Sequence, residues 1–139
     1  VEVFRLTGKP YSSFLQKKKS VRHFHCINIT LEMERELLYN RINLRVDKMV
    51  ELGLETEVKS LIAFKEKTAL KTVGYQEFFD YFDKKTTKEK AIELIKQNSR
   101  RYAKRQITWF KRNKNAIWLN ATNLSQIINH INSRLNSIN

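Results

Sequence analysis

Glu93-Leu-Ile-Lys-Gln-Asn-Ser-Arg-Arg-Tyr-Ala-Lys-Arg-Gln-Ile-Thr-Trp-Phe-Lys-Arg112 reads as one long helix. At 100° per residue, Arg100, Arg101, Lys104, Arg105, Lys111 and Arg112 fall on one side, with Gln97 and Thr108 among them. Ile92, Ile95, Ser99, Tyr102, Ala103, Gln106, Ile107, Trp109 and Phe110 gather on the other. One face is suited to anions and the other to a core. Gln106 sits near the middle of the apolar side, where an unpaired amide costs a few kcal/mol. It is therefore either satisfied internally or lines a polar cavity.

The basic face has no acid to neutralise it, because Glu93 is the last carboxylate in the chain and nine Lys or Arg follow it. A charge run of this kind is commonly a solvated surface. Here the missing i,i+4 partners and the interleaved Tyr102 and Trp109 point to an external anion. The whole composition agrees: 27 Lys plus Arg against 14 Asp plus Glu give a net charge of +13. Such a balance predicts a polyanionic partner bound through counterion release.

The 139 residues suffice for one domain with a core. The first residue is Val1, and Val1 to Leu6 looks helical with no N-cap ahead of it. We therefore expect a single domain cut from a longer protein. The lone Cys26 excludes an intramolecular disulfide framework and suits a reducing compartment. Asn115 to Ser133 lacks charge but is too rich in Asn, Ser and Thr to span a membrane. A soluble, cytoplasmic protein is expected.

Along the chain, a helix should end near Gly8, a short one run from Pro10 to Gln16, and Lys17 to Lys19 form a turn. Gly8-Lys9 is not a phosphate loop, since Val3 and Pro10 stand where Gly and Ser or Thr are required. Phe24 to Ile29 is the best strand. His23 and His25 share one of its faces but lack further metal donors, and Cys26 reads as a core residue. Thr30 is a candidate N-cap for a helix from Leu31 to Leu52, closed by Gly53. Arg41 and Arg45 share a face there, either pairing with Glu34 or Glu51 or binding a diphosphate. Leu54 to Phe64 should continue as helix and Lys65 to Lys71 as a polar connection. Gly74 opens a helix carrying a Phe78, Phe79 and Phe82 core stripe, with room for close backbone approach. Thr86 or Thr87 caps the long helix, Ala116 to Leu119 is a strand, and Leu124 to Leu135 a final amphipathic helix with His130 at the surface. The tail after Arg134 should fray. The fold class is mostly α with one or two short strands.

Ser99-Arg100 followed by Ala103-Lys104-Arg105-Gln106-Ile107-Thr108-Trp109-Phe110 resembles the Thr-Arg…Ala-Lys-Arg-Gln-x-Thr-Trp signature of tRNA dimethylallyltransferases (isopentenyltransferases). Lys71-Thr-Val-Gly-Tyr-Gln-Glu77, Arg45-Val-Asp-Lys-Met49 with Gly53-Leu54 and Glu57-Val58, and Leu6-Thr-Gly-Lys-Pro10 match in the same order. Ser99 replaces the usual Thr and keeps the hydroxyl. The resemblance implies a P-loop α/β fold of which this is the C-terminal portion. It implies transfer of a dimethylallyl group from dimethylallyl diphosphate to N6 of an adenosine beside the anticodon of tRNA. The P-loop, Mg²⁺ and the catalytic Asp would belong to the part upstream of Val1, so no catalytic residue or metal ligand is expected here and the fragment alone should be inactive. It implies tRNA contacts from Lys71, Thr72, Val73, Gly74, Tyr75 and Gln76, and from Lys104, Arg105, Gln106, Ile107, Thr108, Trp109, Phe110 and Lys111. For the diphosphate, Arg45 is favoured, with Arg41 and Arg100 as further candidates. Partners would be a tRNA anticodon stem-loop and a prenyl diphosphate, with the protein a monomer.

Two other readings stay open on the residues alone. The basic helix alone does not exclude a non-catalytic helical module binding RNA or DNA. A P-loop phosphotransferase with lid-like arginines is the third.

Overall fold

The computed structural model describes residues 2–15 and 24–137. Its elements in chain order are α1 (Glu2–Thr7), β1 (Ile29–Glu32), α2 (Arg35–Glu51), α3 (Leu54–Ser60), α4 (Tyr75–Phe82), α5 (Lys88–Phe110), β2 (Ile117–Asn120) and α6 (Leu124–Asn136), with short 3₁₀ turns at Tyr11–Phe14, Ile62–Phe64 and Thr68–Leu70. The mostly helical architecture with two short strands is the one expected.

Glu34, not Thr30, starts the first long helix. Its carboxylate accepts from the N–H of Glu36 at 3.0 Å and of Leu37 at 3.2 Å, satisfying two free donors of the opening turn. Thr30 is buried in β1, because its backbone is drawn into pairing with β2. The two strands run parallel, with Ile29 opposite Ile117, Thr30 opposite Trp118, Leu31 opposite Leu119 and Glu32 opposite Asn120. A parallel pair needs a long crossover. Helices α2 to α5 supply it, and this brings the start of α2 and the end of α5 to the same sheet.

The strand expected over Phe24 to Ile29 thus lies later, with only Ile29 in common. Cys26, read as a core residue, is exposed, since it precedes the first paired residue and no layer covers it. The expected turn at Lys17 to Lys19, and His23, fall outside the described residues. Leu54 to Phe64 is not one helix: α3 ends at Ser60 and gives way to a 3₁₀ turn. His130, expected at the surface, is half-buried on α6, with Nε2 enclosed and without a partner among the described residues.

The core lies where α2, α3, α4 and α5 meet: Val46, Leu54, Val58, Phe78, Phe79 and Ile95. Phe78 and Val58 are fully enclosed, so the phenylalanine stripe on α4 is core. Gly53 links α2 to α3 in the left-handed region, at φ 102° and ψ 21°. Thr87 caps α5 by accepting from the N–H of Lys90 at 3.2 Å.

Candidate functional site

Helix α5 is braced against α2 by two polar ties one turn apart. Lys96 Nζ lies 2.7 Å from Asp47 Oδ1, and Arg100 Nη1 donates to Asn43 Oδ1 at 2.6 Å. As the later residue on one helix meets the earlier on the other, the two run antiparallel. The Arg100 guanidinium also lies 6.0 Å from the centre of the Tyr39 ring. Arg100 is therefore half-buried and oriented at the edge of the basic face.

Farther along, Arg101, Lys104, Arg105, Lys111 and Arg112 are exposed. Among the described residues every ion pair is made by a lysine, at positions 65, 85, 88 and 96, and none by an arginine. Arg41 and Arg45 accordingly pair with neither Glu34 nor Glu51.

The inner line of α5 changes character midway. Ala91 and Ile95 are buried, with α4 and α2 packed against the helix. The same line continues as Tyr102, Gln106 and Trp109, yet Tyr102 is 53% and Trp109 63% exposed. Arg105 lies over the Tyr102 ring, 5.6 Å from its centre, and Trp109 meets Phe110 edge-on at 5.0 Å. Gln106 has the predicted inward phase but no covering layer, and its side chain makes no hydrogen bond among the described residues. It lines a cavity.

That cavity, of about 650 Å³, opens between β1, α2, the end of α5 and β2. Arg41, Arg45, Gln106 and Lys111 supply its polar side, together with Thr30 and Glu32. Leu31, Met33, Leu38, Ile42, Ala103, Ile107, Phe110 and Trp118 supply an apolar one. Arg41 makes a weak contact from Nη1 to Met33 Sδ at 3.9 Å. Among the described residues Arg41 and Arg45 form no ion pair, with Glu32 of the same lining or with any other carboxylate, and unpaired guanidiniums beside a hydrocarbon wall suit a ligand with an anionic head and an apolar tail. They do not suit a divalent cation, and among the described residues no cluster of three His, Cys, Asp or Glu is placed to hold one. Arg100 does not line this cavity.

Lys71 to Gly74 form a separate turn, and Tyr75 and Gln76 open α4 directly after it. Gly74 adopts φ 103° and ψ −42°, outside the range of other residues. Its N–H donates to Glu77 Oε2 at 2.8 Å, and Glu77 Oε1 accepts from Asn98 Nδ2 on α5 at 2.7 Å. Glu77 is only 6% exposed. The Tyr75 hydroxyl donates to Glu57, and that bond, with some desolvation and the charge of Glu57, raises its pKa above the ordinary 10.0. Lys71, Thr72 and Val73 face solvent. The approach to the turn is anchored by Lys65, whose ammonium lies 2.7 Å from Asp83 Oδ1. Sequence reasoning missed Lys96, Asn98 and Asn43. Asn98 carries a readable signal, as a polar residue one turn beyond Ile95 on the core-facing line.

A family model described as IPP transferase matches residues 1–113. The tRNA dimethylallyltransferase of Flavobacterium psychrophilum is 52% identical over 97% of this chain and 44% of its own length. That of Christiangramia forsetii is 47% identical over 99% of this chain and 46% of its own length. The crystal structure of the full-length tRNA isopentenylpyrophosphate transferase from Bacillus halodurans superposes with a TM-score of 0.75 at 39% identity, covering 98% of this chain and 43% of that one. The tRNA delta(2)-isopentenylpyrophosphate transferase of Staphylococcus epidermidis gives 0.75 at 36% identity, over 98% and 46%. The chain thus spans less than half the length of these relatives. With a family model running over most of its residues and close likeness in both sequence and backbone, this chain belongs to the IPP transferase family.

Proposed function

We propose that the intact protein transfers the dimethylallyl group of dimethylallyl diphosphate to N6 of the adenosine beside the anticodon of a tRNA. This chain is its C-terminal portion and supplies RNA and diphosphate contacts. The observation that carries the reading is the cavity in which Arg41 and Arg45, ion-paired with no carboxylate among the described residues, share space with an apolar wall and Gln106. In the transfer, the bond from the allylic carbon to the diphosphate oxygen breaks and the bond from N6 to that carbon forms, while N6 loses a proton. The leaving group gathers negative charge, so preplaced cations lower the barrier. Arg45 and Arg41 take that role, the apolar wall holds the hydrocarbon, and Gln106 faces the adenine. Mg²⁺ would be held by the remainder of the enzyme. The proton acceptor belongs to the remainder of the enzyme.

The RNA track runs over Lys104, Arg105 and Lys111, with Lys71 to Gln76 as its second contact. Charge supports it, since the last third of the chain holds no carboxylate. In this reading the enzyme works as a cytoplasmic monomer. No helix among the described residues is long and apolar enough to cross a membrane.

The test is dimethylallyl transfer by the intact protein to an anticodon stem-loop carrying an adenosine 3′ of the anticodon. Arg45→Ala should raise KM for dimethylallyl diphosphate by roughly tenfold or more. Lys104→Ala/Arg105→Ala should weaken stem-loop binding and reduce its salt dependence by about one counterion per lost phosphate contact. Salt-sensitive RNA binding without any transfer would favour a non-catalytic binding module.

A further inference from the structure

Glu77 is a nearly buried carboxylate that makes no ion pair among the described residues. Burying such a group is costly unless its oxygens are satisfied. A carboxylate oxygen only accepts, so the side of Asn98 facing it must be the NH₂ group. The result is a directed chain of donors. Arg101 Nη1 donates to Asn98 Oδ1 at 3.4 Å, Asn98 Nδ2 to Glu77 Oε1 at 2.7 Å, and Gly74 N–H to Glu77 Oε2 at 2.8 Å. Around this tie α4 and α5 meet through apolar packing that includes Phe78 and Ile95, which does not fix direction. Among the described residues the bond from Asn98 to Glu77 is the one hydrogen bond between the Gly74 segment and α5.

We propose that Asn98 is a positioning residue: through Glu77 it locks the Gly74 turn onto α5 and so sets the spacing between the two RNA-contacting segments. This rests on the reading of Lys71 to Gln76 and Lys104 to Lys111 as those segments. Asn98 lies six residues before Lys104 on one continuous helix, which is about 9 Å at 1.5 Å per residue. The tie therefore holds the Lys71 to Val73 apex at a fixed distance from the first lysine of the basic face. With both segments fixed before RNA arrives, binding spends nothing on ordering them. Asn98 itself touches neither RNA nor the cavity.

The experiment is steady-state kinetics of the intact enzyme with a stem-loop substrate, comparing wild type with Asn98→Ala and Asn98→Asp. Both variants should raise KM for RNA, by about tenfold for Asn98→Ala, with kcat and KM for dimethylallyl diphosphate within about twofold of wild type. Asn98→Asp keeps the shape but sets a second acceptor against Glu77, so it should be the worse of the two. The salt dependence of stem-loop binding should match wild type in both, because no phosphate contact is lost, whereas Lys104→Ala lowers it. Wild-type KM for RNA in Asn98→Ala, or an Asn98→Asp enzyme equal to wild type, overturns the proposal. So does a joint change of kcat and both KM values, which marks a general structural loss. Absence of stem-loop binding by the wild type would overturn the functional reading itself, and this proposal with it.

Discussion

Arg100 and Asn43 meet across the α2 and α5 contact, guanidinium Nη1 to amide Oδ1 at 2.6 Å, with Tyr39 beneath the same guanidinium. Two residues one turn apart on α2 thus fix one arginine of α5. Arg100→Ala should lower unfolding free energy by roughly 1–3 kcal/mol, combining a hydrogen bond from a charged donor with a cation–π contact. Arg100→Lys should recover only part of this, since an ammonium cannot bond Asn43 and lie flat on Tyr39 together. Urea unfolding midpoints of the intact enzyme and its variants measure both.

Gly53 and Gly74 both have positive φ but differ in what they tolerate. Gly53 lies near the left-handed helical well, whereas Gly74, at ψ −42°, does not. A Cβ at Gly74 would meet only Leu54 Cδ2 at 4.0 Å, so the cost of a side chain there is backbone strain rather than collision. Gly74→Asn should cost about 1–3 kcal/mol, and Gly53→Asn distinctly less, because asparagine enters the left-handed well readily. Denaturant midpoints at unchanged slope decide it.

Gln106 lines the cavity without a hydrogen-bond partner among the described residues. Its loss should leave stability within about 0.5 kcal/mol of wild type while turnover falls roughly tenfold. If Gln106→Ala left stem-loop affinity and turnover both unchanged, it would have no place at the adenine.

Hydrogen bonds from Lys65 and Lys85 hold the Asp83 carboxyl below its ordinary value of 3.8. A carboxyl whose pKa is lower folded than unfolded stabilises fully above the unfolded value, and that contribution is lost as pH falls through the folded one. The stability difference between wild type and Asp83→Asn should therefore persist at neutral pH and close in acid, beginning below about pH 4. It should also shrink in high salt, because these side chains are solvent-accessible. Thermal melts across pH 7 to 2 at two salt concentrations test it.

Helix α5 was legible because its signals are local. Thr87, the 3.6-residue period from Ile92 onward and the absence of acids after Glu93 need no partner to be read. Gly53 and Gly74 were also legible, because a glycine between two apolar helical runs marks a turn that favours positive φ. The start of α2 was misplaced because Thr30 and Glu34 are both competent caps, and pairing of Thr30 with Trp118 decides between them. Cys26 was misread as core for a related reason: an apolar run does not say where its partner strand begins.

The sequence alone determined which residues share a face, where helices must turn, and how much positive charge lacks compensation. These follow from chain geometry and composition, which act over a few residues. Only the tertiary structure decided that the inner line of α5 is buried through Ile95 and bare from Tyr102 onward, because that depends on where the neighbouring helices end. It also decided that Arg41 and Arg45 face Gln106 across one cavity, and that Asn98 reaches Glu77. Such meetings join residues far apart in sequence, and the physical reason is that packing, not periodicity, chooses a partner among many of equal local merit.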